Sequence, residues 1–156
     1  MIDAVRESTR QIFAEQKRDM REIVTDLTPD ELNWIPGSND DTNSIAQMLS
    51  HAMEAERFLV STTLDRTVDR NREAQFKLAN VTSADLLSAI DQTEMLVNSL
   101  LDELTVEHLA TGVTRPTSSG ERTQPGAWWL FHAIEHSCEH LGQARLTRQL
   151  LDGRDA

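Results

Sequence analysis

The stretch His132-Ala-Ile-Glu-His136-Ser-Cys-Glu-His140-Leu-Gly-Gln143 sets three imidazoles at successive i, i+4 positions. On an α-helix that spacing stacks them on one face, and metal binding leads the short list of uses for such a face. At about 100° per residue the three histidines span roughly 80° of the wheel, with Trp129, Gln143 and Leu150 inside or beside the arc. Pro125 opens this helix, since its fixed φ suits a first helical position, and the pattern runs to about Leu151 before Gly153.

Upstream, three more segments carry the helical period. From Ile2 to Leu27 the residues Ile2, Val5, Ile12, Phe13, Met20, Ile23, Val24 and Leu27 step by three and four, with Arg and Glu on the other face. Thr28-Pro29-Asp30-Glu31 has the form of a capping box and predicts a single turn, which Pro36-Gly37 ends. The polar loop Ser38 to Thr42 leads to Asn43 or Ser44 as N-cap of a second helix, traced by Ile45, Met48, Leu49, Ala52, Ala55, Leu59 and Val60 to about Leu64. A third helix begins at Thr82 or Ser83 and carries Leu86, Leu87, Ile90, Val97, Leu100, Leu101 and Leu104, and Thr105 to Leu109 adds a short turn. Asp65 to Val81 is charged and weakly patterned; its length allows a crossover that sets helices two and three parallel, or a lid. Thr111 to Thr123, rich in Thr, Ser, Gly and Pro, reads as loop, and no strand signal of any weight occurs. Four amphipathic helices predict an all-α protein, a four-helix bundle formed by residues 1–156 as one domain.

At 156 residues the chain buries a core without disulfides or a structural metal, so a bound metal is expected to be functional. A net charge of -11 with no face that collects Lys and Arg argues against nucleic acid as partner or substrate. The single Cys138 forms no internal disulfide, and the N-terminal segment lacks an apolar core of the signal-peptide kind, so the reading is a cytoplasmic protein. Charged residues interrupt every helical segment, so no membrane span is expected.

Two histidines at i and i+4 bind one ion, and a third ligand from a neighbouring helix leaves coordination positions open for water or substrate. His51, at the border of the apolar stripe of helix two, is the natural third ligand to His136 and His140. The competing reading makes each histidine a polar core residue bonded to a carbonyl or carboxylate. His132 is placed in the pocket wall, because successive histidines rise about 6 Å and not all of them reach one ion. Glu139 projects close to His132 and is a candidate to orient an imidazole or accept a proton; Gln143 and Trp129 are candidates for the pocket or the ligands' surroundings.

Other chemistries are excluded by inspection. A zincin needs Glu directly after the first His, where Ala133 and Ser137 stand, and the two His-x-x-Glu-His arrangements follow from overlapping i, i+4 histidines. Ferritin-like di-iron sites need Glu three residues before the ligand His, where Met48, Ala133 and Ser137 occur. No nucleophile elbow and no glycine-rich phosphate loop is present. Glu54 and Glu56 read as surface residues, Cys138 as a small packing residue, and Trp34, Trp128 and Trp129 as packing or the walls of a pocket mouth.

Leu32-Asn-Trp34-Ile-Pro36, Asn43-Ser44-Ile45-Ala46 leading to Leu49-Ser-His51, and His132-x-x-x-His136-x-x-x-His140-Leu-Gly142-Gln143 resemble the DinB-like (YfiT-like) superfamily of metal-dependent enzymes. The resemblance implies an up-down-down-up bundle, a homodimer, and a divalent ion on His51, His136 and His140, with Zn or Ni first and Fe or Mn also suited to three imidazoles. Better understood relatives of this kind use low-molecular-weight thiols. The expectation is therefore a low-molecular-weight-thiol S-transferase acting on a small molecule; a metal-dependent hydrolase, or a helical metal- or ligand-binding module without turnover, are the alternatives.

Overall fold

The computed structural model describes residues 1–37, 42–117 and 120–154, so part of the loop expected between Ser38 and Thr42 lies outside the described residues, as do Ser118 and Ser119. The chain is mostly helical, with one small sheet among the described residues. Helix α1 (Ile2–Val24) buries Phe13, Met20, Ile23 and Val24 and stops three residues short of Leu27. There Asp26 turns the chain at φ 63°, a left-handed conformation that Asp tolerates better than most residues. Helix α2 (Pro29–Leu32) is the expected single turn: the Thr28 side chain accepts from the Glu31 N–H while Glu31 accepts from the Thr28 N–H. The same reciprocal cap starts α3 (Ile45–Thr63), between Ser44 and Gln47, and α5 (Ser83–Glu103), between Thr82 and Asp85. Two short helices, α4 (Arg72–Gln75) and α6 (Val106–Ala110), follow α3 and α5 respectively. The long α7 (Gly126–Arg154) closes the described chain.

The loop expected at Thr111 to Thr123 is instead an antiparallel hairpin, β1 (Gly112–Thr117) and β2 (Gly120–Pro125), with Val113 opposite Gln124 and Arg115 opposite Arg122. Pro125 therefore ends a strand, and α7 begins at Gly126. The hairpin hid from sequence reading because Val113 is its one buried residue among those described, so neither strand has an apolar alternation to reveal it. Its two prolines are tolerated since both strands of a two-stranded sheet are edges. Tertiary contacts hold it: Trp129 Nε1 donates to the Val113 carbonyl at 3.2 Å, and Arg115 meets Asp65 at 2.9 Å. Gly126 is required at the start of α7, for a Cβ there would lie 2.0 Å from the His108 carbonyl oxygen.

The long helices pack as α3 against α7 and α5, and α1 against α5 and α7. Arg6 donates to the Leu104 carbonyl, Arg21 pairs with Asp91 and Glu94, and Ser83 donates to the Leu27 carbonyl, fastening opposite ends of α1 and α5 together. Apolar side chains form two groups, one with Met20, Leu49, Met53, Ile90, Leu141 and Ala144, the other with Phe13, Ala55, Leu59, Val97, Trp129 and Ala133. A polar layer of buried residues lies at or beside the boundary of the two groups on each long helix: Gln16 and Lys17 on α1, His51 and Glu56 on α3, Thr93 on α5, Ser137 on α7. No helix among the described residues is long and apolar enough to cross a membrane.

Candidate metal centre

The polar layer is where α3 and α7 deliver His51, His136 and His140 to one point. One ring nitrogen from each lies within 4.8 Å of the others. Ring centroids are 5.0 Å apart for His51 and His136, 4.8 Å for His51 and His140, and 4.5 Å for His136 and His140. Side-chain amides fix two of the rings. His51 Nδ1 donates to Gln75 Oε1 at 3.0 Å and His140 Nδ1 donates to Gln143 Oε1 at 2.7 Å, which leaves Nε2 of each ring as the lone-pair nitrogen. His136 Nδ1 is buried and makes no hydrogen bond. Burial, and then the neighbouring His140 and His51, push the pKa of His136 down to about 3, so it is a neutral imidazole at physiological pH.

These features fit a divalent ion. Three imidazoles converge, two have an amide oxygen fixing one ring nitrogen from outside, and the third has a buried nitrogen whose desolvation no protein group offsets. An unshared layer of polar core residues would bond each buried ring nitrogen to a carbonyl or carboxylate.

His132 sits one turn before His136 with its ring 6.0 Å away, stacks on Trp128 at 4.7 Å, and has its Nδ1 3.1 Å from a Glu135 carboxylate oxygen. The carboxylate beside His132 is therefore that of Glu135; Glu139 is exposed on α7. Gln143 is exposed and reaches the cluster through His140, while Trp129 is buried and reaches the hairpin. Two other expectations are corrected. Glu56 is fully buried, 2.5 Å from Lys17 Nζ and accepting from Ser137 Oγ at 3.1 Å, because α3 is covered on nearly every side and its apolar stripe marks only part of the buried surface. Burial raises the Glu56 pKa and Lys17 opposes the rise. Cys138 is exposed rather than packed, and accepts from Gln16 Nε2. Trp34 lies against the first apolar group, under the Arg154 guanidinium.

A cleft of about 720 Å³ opens beside the cluster, within the size range of small-molecule sites. His51, His132 and His136 line one part of it; Phe58, Leu59 and Trp129 give it an apolar wall. Arg70 and Glu73 come from the segment after α3, and Arg122 from the hairpin, where its guanidinium lies 5.1 Å over the Trp128 ring. Sequence reasoning missed Gln75, Lys17 and the hairpin's share of the cleft. Gln75 stands in a charged, weakly patterned segment, and nothing local marks it.

A mostly helical protein with a three-histidine cluster between α3 and α7, beside a small-molecule-sized cleft, is the class these observations define. The chain belongs to the DinB superfamily, whose family model matches residues 12–144. Its fold is similar to that of a conserved protein from Enterococcus faecalis, with TM-score 0.74 and 16% identity over 94% of this chain and 96% of that one. A DinB-like protein from Bacillus subtilis is similar with TM-score 0.69 and 13% identity, covering 93% of this chain and 92% of that one. No curated protein matches the sequence.

Proposed function

We propose that the protein is a divalent-metal-dependent enzyme that transfers a low-molecular-weight thiol to a small electrophile, with His51, His136 and His140 holding the ion. The observation that carries this reading is the convergence of three imidazole nitrogens within 4.8 Å, with His51 and His136 of the three lining the cleft. A divalent ion held by three neutral ligands supplies Lewis acidity that lowers the pKa of a thiol or of water. The chain's own residues do the rest. Phe58, Leu59 and Trp129 keep water from an electrophile lying against them, and His132, oriented by Glu135, stands at the cleft wall to take the thiol proton. The thiol sulfur then bonds to the electrophilic carbon and the leaving group departs with its electron pair.

The scaffold in this reading is an up-down-down-up four-helix bundle with the segment after α3 as crossover. The pairing of Arg6 with Leu104 and of Ser83 with Leu27 supports opposite directions for α1 and α5. His51 near His140 and Thr63 near Gly126 support opposite directions for α3 and α7. A homodimer belongs to the same reading, supported by Phe131, Leu146 and Leu150 exposed along α7, and so does a cytoplasmic location, for a protein with one cysteine that works with thiols.

The test is elemental analysis of untagged protein beside His51→Ala and His136→Ala, with light scattering on the same samples. About one ion per chain, lost in both variants with helicity kept, is expected; a thiol-by-electrophile screen on the loaded protein then yields conjugates that depend on His51. A metal-loaded protein that hydrolyses substrates without any thiol overturns the transferase in favour of a hydrolase. A protein that takes up neither Zn nor Ni overturns the metal site.

A further inference from the structure

The segment joining α3 to α5 is fastened over the histidines at three points. Gln47 Nε2 donates to the Phe76 carbonyl at 2.9 Å, the Phe76 ring lies 4.6 Å from the His51 ring, and Gln75 accepts the Nδ1 proton of His51. Gln75 is buried and belongs to α4, an element that carries none of the three histidines. A free neutral imidazole favours the proton on its other nitrogen, Nε2, so the contact with Gln75 holds His51 in the tautomer that it does not prefer by itself. Released from that contact, His51 would direct a protonated Nε2 at the cluster, and a protonated nitrogen binds no ion.

The chemistry of the partner matters as much as its position. Carboxylates often hold ligand histidines; they draw on the ring proton and make the imidazole a stronger donor to the ion. Gln75, like Gln143 beside His140, is a neutral amide that fixes the tautomer without adding negative charge, which leaves more of the ion's charge to act on a substrate. We propose that Gln75 is a positioning residue of the cluster: it presents His51 Nε2 to the ion and keeps that ligand a weak, neutral donor. This rests on the cluster being a metal site, and the test separates the two.

Two quantities are measured on the full chain without a tag: the tautomer of His51 in the metal-free protein, by long-range nitrogen–proton NMR, and zinc affinity, by competition with a chelating dye. Wild type is expected to show the Nδ1–H form. Gln75→Leu is expected to move His51 toward Nε2–H and to weaken zinc binding by about tenfold to a hundredfold. Gln75→Glu, which keeps the volume and the acceptor, is expected to hold the Nδ1–H form and to bind zinc at least as tightly as wild type. An unchanged tautomer and unchanged zinc affinity in Gln75→Leu overturn the inference, as does weaker binding in Gln75→Glu should the leucine variant fail to fold. A wild-type protein with the Nδ1–H form and no zinc binding overturns the metal site instead.

Discussion

His136 has the least help of the three clustered histidines. Its neighbours His51 and His140 each have an amide partner, whereas its Nδ1 is buried without one and its pKa falls to about 3 from an ordinary 6.5. Between these values the unfolded chain binds a proton that the folded chain does not, so stability rises with pH across this window and is lost as pH falls through it. Denaturant unfolding of the metal-free protein from pH 7 down to pH 4 is expected to show that decline, and His136→Phe is expected to flatten it. The spacing of His136 and His140 and their common face were legible in the sequence, because i, i+4 geometry is local. The amide partners of His140 and His51 were only half legible: Gln143 lies on the same helix as His140, three residues on, but Gln75, the partner of His51, comes from a separate element.

At the scale of the elements, the buried Lys17 and Glu56 pair ties α1 to α3, and Ser137 ties α7 to α3 by donating to the same Glu56 carboxylate. The pair fastens α3, the helix that delivers His51, to α1, and loss of one partner leaves the other's charge buried and unpaired. Lys17→Met leaves a buried carboxylate without its counter-charge and is expected to cost about 3–5 kcal/mol in chemical denaturation, whereas Lys17→Met with Glu56→Leu recovers most of that loss. Sequence periodicity gave no warning of the pair. It assigns a residue to the surface when it lies off the apolar stripe, but α3 is buried on nearly all sides, and a charge there survives only because a distant element supplies the opposite one. The hairpin teaches the same lesson for strands. It has no apolar face of its own and is held by Trp129 and by the Arg115 pair with Asp65.

For the molecule as a whole, a site shared by α3 and α7 couples metal binding to folding, since the unfolded chain does not hold His51 beside His136 and His140. Free zinc at a hundredfold excess over its Kd is expected to stabilise the fold by about 2.7 kcal/mol, which for a chain of this size raises Tm by about 5–10 °C. Calorimetry with and without zinc checks this, and His51→Ala is expected to abolish the rise. By itself the sequence determined the four long helices, the capping box at Thr28 and the shared face of His136 and His140, because helical period, caps and i, i+4 spacing depend on residues a few positions apart. Only the tertiary structure decided the hairpin, the buried pair of Lys17 and Glu56, the cleft, and the hold of Gln75 on His51. Each of these joins residues from separate elements, and the free energy that stabilises it comes from burial and pairing that exist only once those elements have packed.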